Sequence, residues 1–127
     1  MPQPKVTMSV RQAGNGVSVI DIAGEVTGHA ENVLADAFVQ AAVKARAVVL
    51  NFSALEYMNS SGIGLLVTLL IRAQRNHVQL IAYGLSEHYQ QIFELTRLNE
   101  AIQLYDTEKD VLEALKSHPD PVKRDEK

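Results

Sequence analysis

The feature that most constrains the fold is a β-branched apolar run that leads through a polar turn into a long apolar segment. The run Ala47-Val48-Val49-Leu50 has the composition of a strand that is buried on both faces. The segment from Ile63 to Arg75 has the length of a helix, and Asn59-Ser60-Ser61-Gly62 before it contains residues that cap helix N-termini. A buried strand followed by a buried helix is typical of an α/β protein.

The turn places Ser60 and Ser61 at a helix N-terminus, where free N–H groups and the macrodipole favour negative charge. It is therefore a candidate site for a phosphate, either bound or covalently attached. Simple capping of the helix by these serines is the alternative explanation. We predict that Gly62 and Gly64 permit a close approach of strand and helix, and an anion nest is the alternative. A lone Gly-x-Gly is weak evidence for nucleotide binding.

The remaining segments alternate between strand and helix patterns. Val6–Gln12 and Val17–Ala23 flank an Asn-Gly pair, which predicts an antiparallel hairpin, and Gly24 breaks the second run. Later strands are predicted at His77–Tyr83 and Ala101–Tyr105. Ser86 and Thr107 are the predicted N-caps of two further helices. An amphipathic helix before residue 47 is indicated by apolar residues at helical spacing, namely Ala30, Val33, Leu34, Ala37, Phe38, Ala41 and Ala45.

The resulting order, β-β-α-β-α-β-α-β-α, predicts a four- to five-stranded mixed sheet. The N-terminal hairpin is antiparallel, the later strands are parallel, and the helices lie mainly on one face. We predict a short N-terminal extension over residues 1–5, one domain over 6–116, and a charged, proline-containing, disordered tail over 117–127.

Composition narrows the possible functions. The chain has 127 residues, no cysteine and a formal net charge of −3, which argues against thiolate metal sites and against nucleic acid as a partner. Its four histidines are scattered, so we expect no metal and no cofactor. No apolar run reaches about 18 residues, which predicts a cytoplasmic protein without membrane insertion. Ser60 lacks the surroundings of a catalytic nucleophile, so we expect no enzymatic activity.

Three motifs carry a family resemblance. They are Gly24-Glu25-Val26, the turn Asn59-Ser60-Ser61-Gly62-Ile63-Gly64, and Leu95–Ile102 followed by Tyr105-Asp106. In this order and spacing, Val6–Leu115 resembles the STAS domain of bacterial anti-sigma-factor antagonists.

This resemblance implies a partner-switching function. In that family the first serine of the turn is phosphorylated by an anti-sigma factor that is a serine kinase, which makes Ser60 the expected phosphosite. The unphosphorylated antagonist binds the anti-sigma factor, phosphorylation breaks the complex, and a phosphatase restores it. Asn59 and Thr27 stand where family members usually have Asp, so a STAS scaffold or regulatory subunit of a membrane transport complex, without phosphorylation, is the alternative.

The expected partner surface combines the loop at Thr27-Gly28, the turn and the start of the following helix. We expect Leu65 and Leu69 to be partly exposed, because Ile63, Leu66, Val67 and Leu70 can form the stripe that faces the sheet; full burial beneath the last helix is the alternative. The predicted partner-binding residues are Thr27, Gly28, Asn59, Ser60, Ser61, Gly62, Ile63, Leu65 and Leu69.

Overall fold

The computed structural model describes residues 5–117, which form five strands and four α-helices. Short 3-10 turns cover Gly28–Ala30 and Leu98–Glu100. The strands are β1 (Val6–Gly14), β2 (Val17–Val26), β3 (Ala47–Met58), β4 (Gln79–Tyr83) and β5 (Gln103–Tyr105). The helices are α1 (Glu31–Ala42), α2 (Ser60–Arg75), α3 (Glu87–Leu95) and α4 (Glu108–Ser117).

The strands form one sheet in the order β1-β2-β3-β4-β5. β1 and β2 are antiparallel, and the other neighbouring pairs are parallel, as the sequence predicts. The hairpin turn contains Gly14, Asn15 and Gly16, all of which have positive φ angles. Asn and Gly adopt this conformation readily, which explains why the Asn-Gly pair predicts the hairpin correctly.

The two faces of the sheet carry two separate hydrophobic cores. The larger core contains buried side chains of three helices, including Phe38 of α1, Leu66 of α2 and Phe93 of α3. The smaller core lies on the opposite face, where α4 contributes Val111 and Leu115. Three helices on one face and one on the other confirm the predicted arrangement.

Two strands extend beyond their predicted ends. β3 extends to Met58, whereas the sequence predicted a strand over Ala47–Phe52 followed by a short polar loop. β2 continues through Gly24 to Val26. The pairing between these strands shifts register twice over this part, which interrupts the simple alternation of buried and exposed residues. Gly24 has a φ of 101°, and a Cβ there would lie 2.2 Å from the Lys5 carbonyl oxygen. The glycine therefore permits the backbone at Lys5 and Val6 to lie close to β2.

Smaller differences occur at other element ends. β4 begins at Gln79, because His77 has a left-handed φ of 58° and belongs to the preceding turn. Similarly, β5 begins at Gln103 and α2 already at Ser60. The predicted cap at Thr107 is confirmed, since its Oγ1 accepts a 3.1 Å hydrogen bond from the Asp110 N–H. Ser86 occupies the N-cap position of α3 but makes no capping side-chain bond. The predicted disorder of the tail falls on residues that, from 118 onward, lie outside the described part.

Candidate functional site

The candidate site is built around the first turn of α2. Asn59 is the N-cap, and its Oδ1 accepts a 2.9 Å hydrogen bond from the Gly62 N–H. Ser60 and Ser61 are the first two helical residues, and both are exposed. Within the described residues neither serine side chain makes a hydrogen bond. The alternative explanation, that the serines cap the helix, is therefore wrong, because Asn59 is the cap. The Ser60 hydroxyl is left free at the positive end of the helix.

Gly62 sets how closely α2 approaches the end of β2. A Cβ at this position would lie 2.2 Å from the Val26 carbonyl oxygen and 2.8 Å from Cγ of Met58. The same carbonyl accepts a 3.3 Å hydrogen bond from the Asn59 N–H. Gly62 thus permits the predicted close approach of strand and helix, and it fixes the position of the serine turn against the sheet. The same prediction for Gly64 is wrong, because Gly64 is exposed and a Cβ there would have no neighbour within 4 Å.

The loop after β2 lies beside this turn. Thr27 Oγ1 accepts a 3.2 Å hydrogen bond from the His29 N–H and caps the short 3-10 turn. A Cβ at Gly28 would lie 3.6 Å from Cβ of Ser61. Thr27 and Asn59, the two positions where the family usually has Asp, are therefore both cap acceptors here. A neutral side-chain oxygen fulfils that role without adding a negative charge.

The end of β3 is held from the other side by α3. The hydroxyl oxygen of Tyr89 accepts a 2.9 Å hydrogen bond from the Met58 N–H. Tyr89 is itself half-buried against the larger core. This bond fixes the residue immediately before the Asn59 cap, so the turn is attached to both neighbouring elements, β2 and α3.

The exposed face of α2 differs from the predicted one. Leu69 is only 2% exposed, so the prediction that it is partly exposed is wrong, whereas Leu65 is half-buried as expected. Val67 is 40% exposed and Ile71 45%, although Val67 was predicted to face the sheet. The buried residues of the helix recur instead at Gly62, Leu66, Leu69 and Ala73.

An exposed stripe consequently begins at the phosphosite candidate. Ser60, Gly64, Val67 and Ile71 are all exposed and follow one another at spacings of four, three and four residues. Such spacing places them on one side of the helix. Ile63 and Leu65 flank this side and are half-buried. The stripe replaces Leu69 in the predicted partner surface.

A polar network on the α4 face of the sheet was not predicted. Arg11 of β1 forms ion pairs with Asp21 of β2, at 2.7 Å, and with Glu108 of α4, at 2.5 Å. Asn51 donates to Asp21 Oδ1 at 2.8 Å, and the Tyr83 hydroxyl donates to Glu108 Oε1 at 2.8 Å. No local motif links these residues, because their strands are adjacent only in the folded sheet.

The charges of the network determine its titration. Hydrogen bonds from Arg11 hold the pKa of both Asp21 and Glu108 below the usual values. The two carboxylates in turn raise the pKa of Arg11. Burial, followed by the hydrogen bond to Glu108, raises the pKa of Tyr83 to about 12. Arg11, Asp21 and Glu108 therefore stay charged at neutral pH, whereas Tyr83 stays protonated. The ion pairs of Arg11 tie α4 to the first two strands.

Residues 5–117 contain neither a metal-binding cluster of side chains nor a helix that could span a membrane. That part of the chain contains no group of three or more His, Cys, Asp or Glu that is placed to hold a metal ion. None of its helices has the length and hydropathy that are needed to span a bilayer.

Comparison with known proteins identifies the family. A family model described as the STAS domain matches residues 8–111. The chain belongs to the STAS domain family. Several structures of similar fold are anti-sigma factor antagonists, as the resemblance in the sequence implied.

Three solved structures illustrate the likeness of the STAS fold. An anti-sigma factor antagonist from Mycobacterium paratuberculosis is 23% identical, with a TM-score of 0.71 over 87% of this chain and 94% of that one. The Bacillus cell fate determinant SpoIIAA in its phosphorylated form is 20% identical, with a TM-score of 0.63 over 86% and 99%. A sulfate transporter family protein from Wolinella succinogenes is 15% identical, with a TM-score of 0.73 over 84% and 89%. At these identities the likeness shows the fold alone.

Proposed function

We propose that this STAS protein is an anti-sigma-factor antagonist that binds an anti-sigma factor with serine kinase activity. Phosphorylation of Ser60 ends the binding, and a phosphatase restores it. The observation that carries the proposal is the exposed Ser60 hydroxyl, which stands in the first turn of α2 without a hydrogen-bond partner in the described part of the chain. A structure of similar fold, SpoIIAA, is known in a phosphorylated form.

The helix terminus explains how the domain would tolerate the modification. A phosphoserine adds about −1.5 to −2 charges at neutral pH, and the positive end of a helix favours negative charge. Asn59, not Ser60, caps the helix, so modification of Ser60 removes no capping bond. The domain is therefore expected to stay folded when Ser60 is phosphorylated.

The same charge would disrupt an interface over the exposed stripe. Val67 and Ile71 supply apolar contact area in line with Ser60, and the loop at Thr27-Gly28 borders the turn. An apolar patch with a polar rim is typical of a protein–protein contact. A phosphate on Ser60 would be desolvated in that contact without a paired charge, which costs several kcal/mol. One modification can thus switch binding without unfolding the domain.

Phosphorylation is tested with the anti-sigma factor kinase of the same cell and labelled ATP. We expect the wild type and Ser61→Ala to be labelled and Ser60→Ala to remain unlabelled. Ser61 is the matched control, because it is the adjacent exposed serine in the same helical turn. Label that persists in Ser60→Ala would refute the assignment of the site.

Binding is tested separately with charge and surface variants. We expect Ser60→Asp, and Val67→Asp on the stripe, to weaken binding of the anti-sigma factor at least tenfold with little change in melting temperature. Lys109→Asp on exposed α4 is the control for a general charge effect. Equal weakening by all three variants, or a large fall in melting temperature with Ser60→Asp, would contradict a local binding surface at the turn.

The second candidate is a STAS scaffold or regulatory subunit of a membrane transport complex, which is not phosphorylated. Asn59 and Thr27 favour it, because both fulfil the capping role without the carboxylate that is usual in the phosphorylated family. The fold likeness to a sulfate transporter family protein is consistent with it. Capture of a transporter ATPase in place of the kinase, together with absence of label on Ser60, would favour this candidate.

A further inference from the structure

The first strand leaves a long row of backbone groups without a partner. β1 forms one edge of the sheet and pairs with β2 alone in the described part of the chain. The Glu25 N–H donates to the Lys5 carbonyl oxygen at 2.8 Å, and Val6 pairs with Gly24. In an antiparallel ladder this register directs the N–H and C=O groups of alternate residues toward β2. The backbone N–H and C=O groups of Thr7, Ser9 and Arg11 point toward β2. Those of the outward-pointing residues, Val6, Met8, Val10 and Gln12, point away from the sheet.

This edge lacks the devices that prevent strands from pairing between molecules. Natural edges are blocked by proline, lysine, bulges or inward charges, or are kept very short. Val6–Gln12 contains no proline or lysine and has a regular register, and the shift begins only after Gln12. Its one charge, Arg11, is held by Asp21 and Glu108. The opposite edge, β5, has only three residues.

We propose that β1 pairs with β1 of a second copy of this chain, antiparallel about a two-fold axis at Ser9. Seven residues, Val6–Gln12, have a regular register, and Ser9 is their centre. Pairing about Ser9 places Val6 opposite Gln12 of the second copy and Met8 opposite its Val10. All four outward-pointing residues then find backbone partners, and the two five-stranded sheets become continuous.

Side chains on both faces are compatible with this register. Met8 and Val10 are half-buried against the larger core, so their pairing extends an apolar surface from one copy to the other. On the other face Arg11 meets Thr7 of the second copy, and no like charges are opposed. An axis at Met8 would place Arg11 opposite Lys5 of the second copy. An axis at Val10 would place Val6 opposite Gly14, beyond the register shift.

The natural absence of cysteine gives a direct test of this geometry. At the axis, Ser9 faces its own copy in a non-hydrogen-bonded pair, where the Cα atoms are about 4.5 Å apart, within the range for a disulfide. We expect Ser9→Cys to form a cross-linked dimer rapidly under mild oxidation. Thr7→Cys is the matched control, because the two Thr7 residues would be separated by four residues along the strand, roughly 13 Å. Equal rates for the two variants would overturn the proposal.

A second test needs no cross-link. Sedimentation velocity over a range of concentrations is expected to show the wild-type mass rising toward that of a dimer. Ser9→Lys opposes two lysines at the axis and should remain monomeric, and it can face Asp21 within its own chain without disturbing the fold. Gln103→Lys makes the same change on the opposite edge and should behave as the wild type. A monomeric wild type at all concentrations, or dimerisation of Ser9→Lys, would refute the pairing; neither outcome affects the function proposed for Ser60.

Discussion

Gly62 joins the candidate site to the sheet, because its missing side chain allows the first turn of α2 to contact the end of β2. A methyl group here would lie 2.2 Å from the Val26 carbonyl oxygen, a backbone atom that cannot move independently of its strand. The position of Ser60 therefore depends on a glycine two residues away. The glycine that follows Ser61 in this turn is therefore explained by packing.

Paired glycine substitutions test this packing. We expect Gly62→Ala to lower the free energy of unfolding by at least about 2 kcal/mol, since the methyl group overpacks a backbone contact. Gly64→Ala is the matched control, because a Cβ there would have no neighbour within 4 Å. Relief of the helical entropy cost of glycine should raise the stability of Gly64→Ala by about 0.5–1 kcal/mol. Chemical denaturation measures both, and equal effects would show that the close approach is unimportant.

The Asn59 cap gives a second prediction at the residue scale. Asn59→Ala removes the acceptor for the Gly62 N–H and should lower stability by about 1 kcal/mol. Asn59→Asp keeps the acceptor and adds a charge at the positive end of α2, so it should be as stable as the wild type or more stable by up to about 1 kcal/mol. Any gain should shrink as salt is added. An unchanged stability in Asn59→Ala would mean that the bond contributes nothing.

These residues also show what a single sequence can predict at this scale. The capping chemistry of the serine turn was predictable, because caps and glycines have short-range signatures. The position of the Thr27 loop beside the turn was expected only from the family resemblance. The choice of Asn59 as the cap was less obvious, since three adjacent residues, Asn59, Ser60 and Ser61, are all good N-caps. Only the close contact at Gly62 fixes which of them precedes the first helical turn.

At the scale of elements, α2 shows where periodicity fails. From Ile63 to Ile71 nearly every residue is large and apolar, so hydrophobicity alone does not identify the side that faces the sheet. The small residues Gly62 and Ala73 mark that side, because close packing of helix on sheet favours them. Helical spacing between these two small residues gives the other buried positions, 66 and 69. The misassignment of Leu69 and Val67 has this cause.

The network at Arg11 links three elements and gives stability a pH dependence. Arg11 holds the pKa of Asp21 and Glu108 below the usual values. Such carboxylates stabilise the fold above their unfolded pKa values, near 4, and the contribution is lost as the pH falls through the folded values. The side chain of Arg11 is 42% exposed, that of Asp21 34% and that of Glu108 29%. Solvent screening therefore limits each ion pair to about 1 kcal/mol or less.

This pH dependence of stability can be tested by removing the charge of Arg11. Arg11→Met should be less stable than the wild type by about 1 kcal/mol at pH 7, and the difference should shrink as the pH is lowered below about 4. Lys109→Met is the control, since it removes the same charge from an exposed position on α4. Its effect should be near zero at both pH values. A deficit in Arg11→Met that persists unchanged into acid would contradict an ionic origin.

At the scale of the whole molecule, β3 connects the two cores. Val48 and Leu50 face the larger core, whereas Ala47 and Val49 face the smaller core beneath α4. The order and direction of the strands followed from alternating segments and short connections. The position of α4 on the second face did not follow from the sequence, because an amphipathic helix after the last strand can pack on either face of the sheet.

The central position of β3 implies that the two cores unfold together. We expect the amides of Val48, Val49 and Leu50 to exchange with solvent only through global unfolding. Leu115→Ala empties part of the smaller core and should lower stability by about 2–5 kcal/mol. Because β3 is shared, the protection of its amides should fall by the same free energy.

Native-state hydrogen exchange measures this coupling residue by residue, and Leu95→Ala is the matched control. Leu95 is 85% exposed, so the same substitution there should leave both global stability and β3 protection within about 0.5 kcal/mol of the wild type. If Leu115→Ala instead released only the α4 amides, the smaller core would be a local unit that opens independently of the sheet. Protection lost equally in α4 and β3 would show that α4 stabilises the sheet carrying the serine turn on its other face.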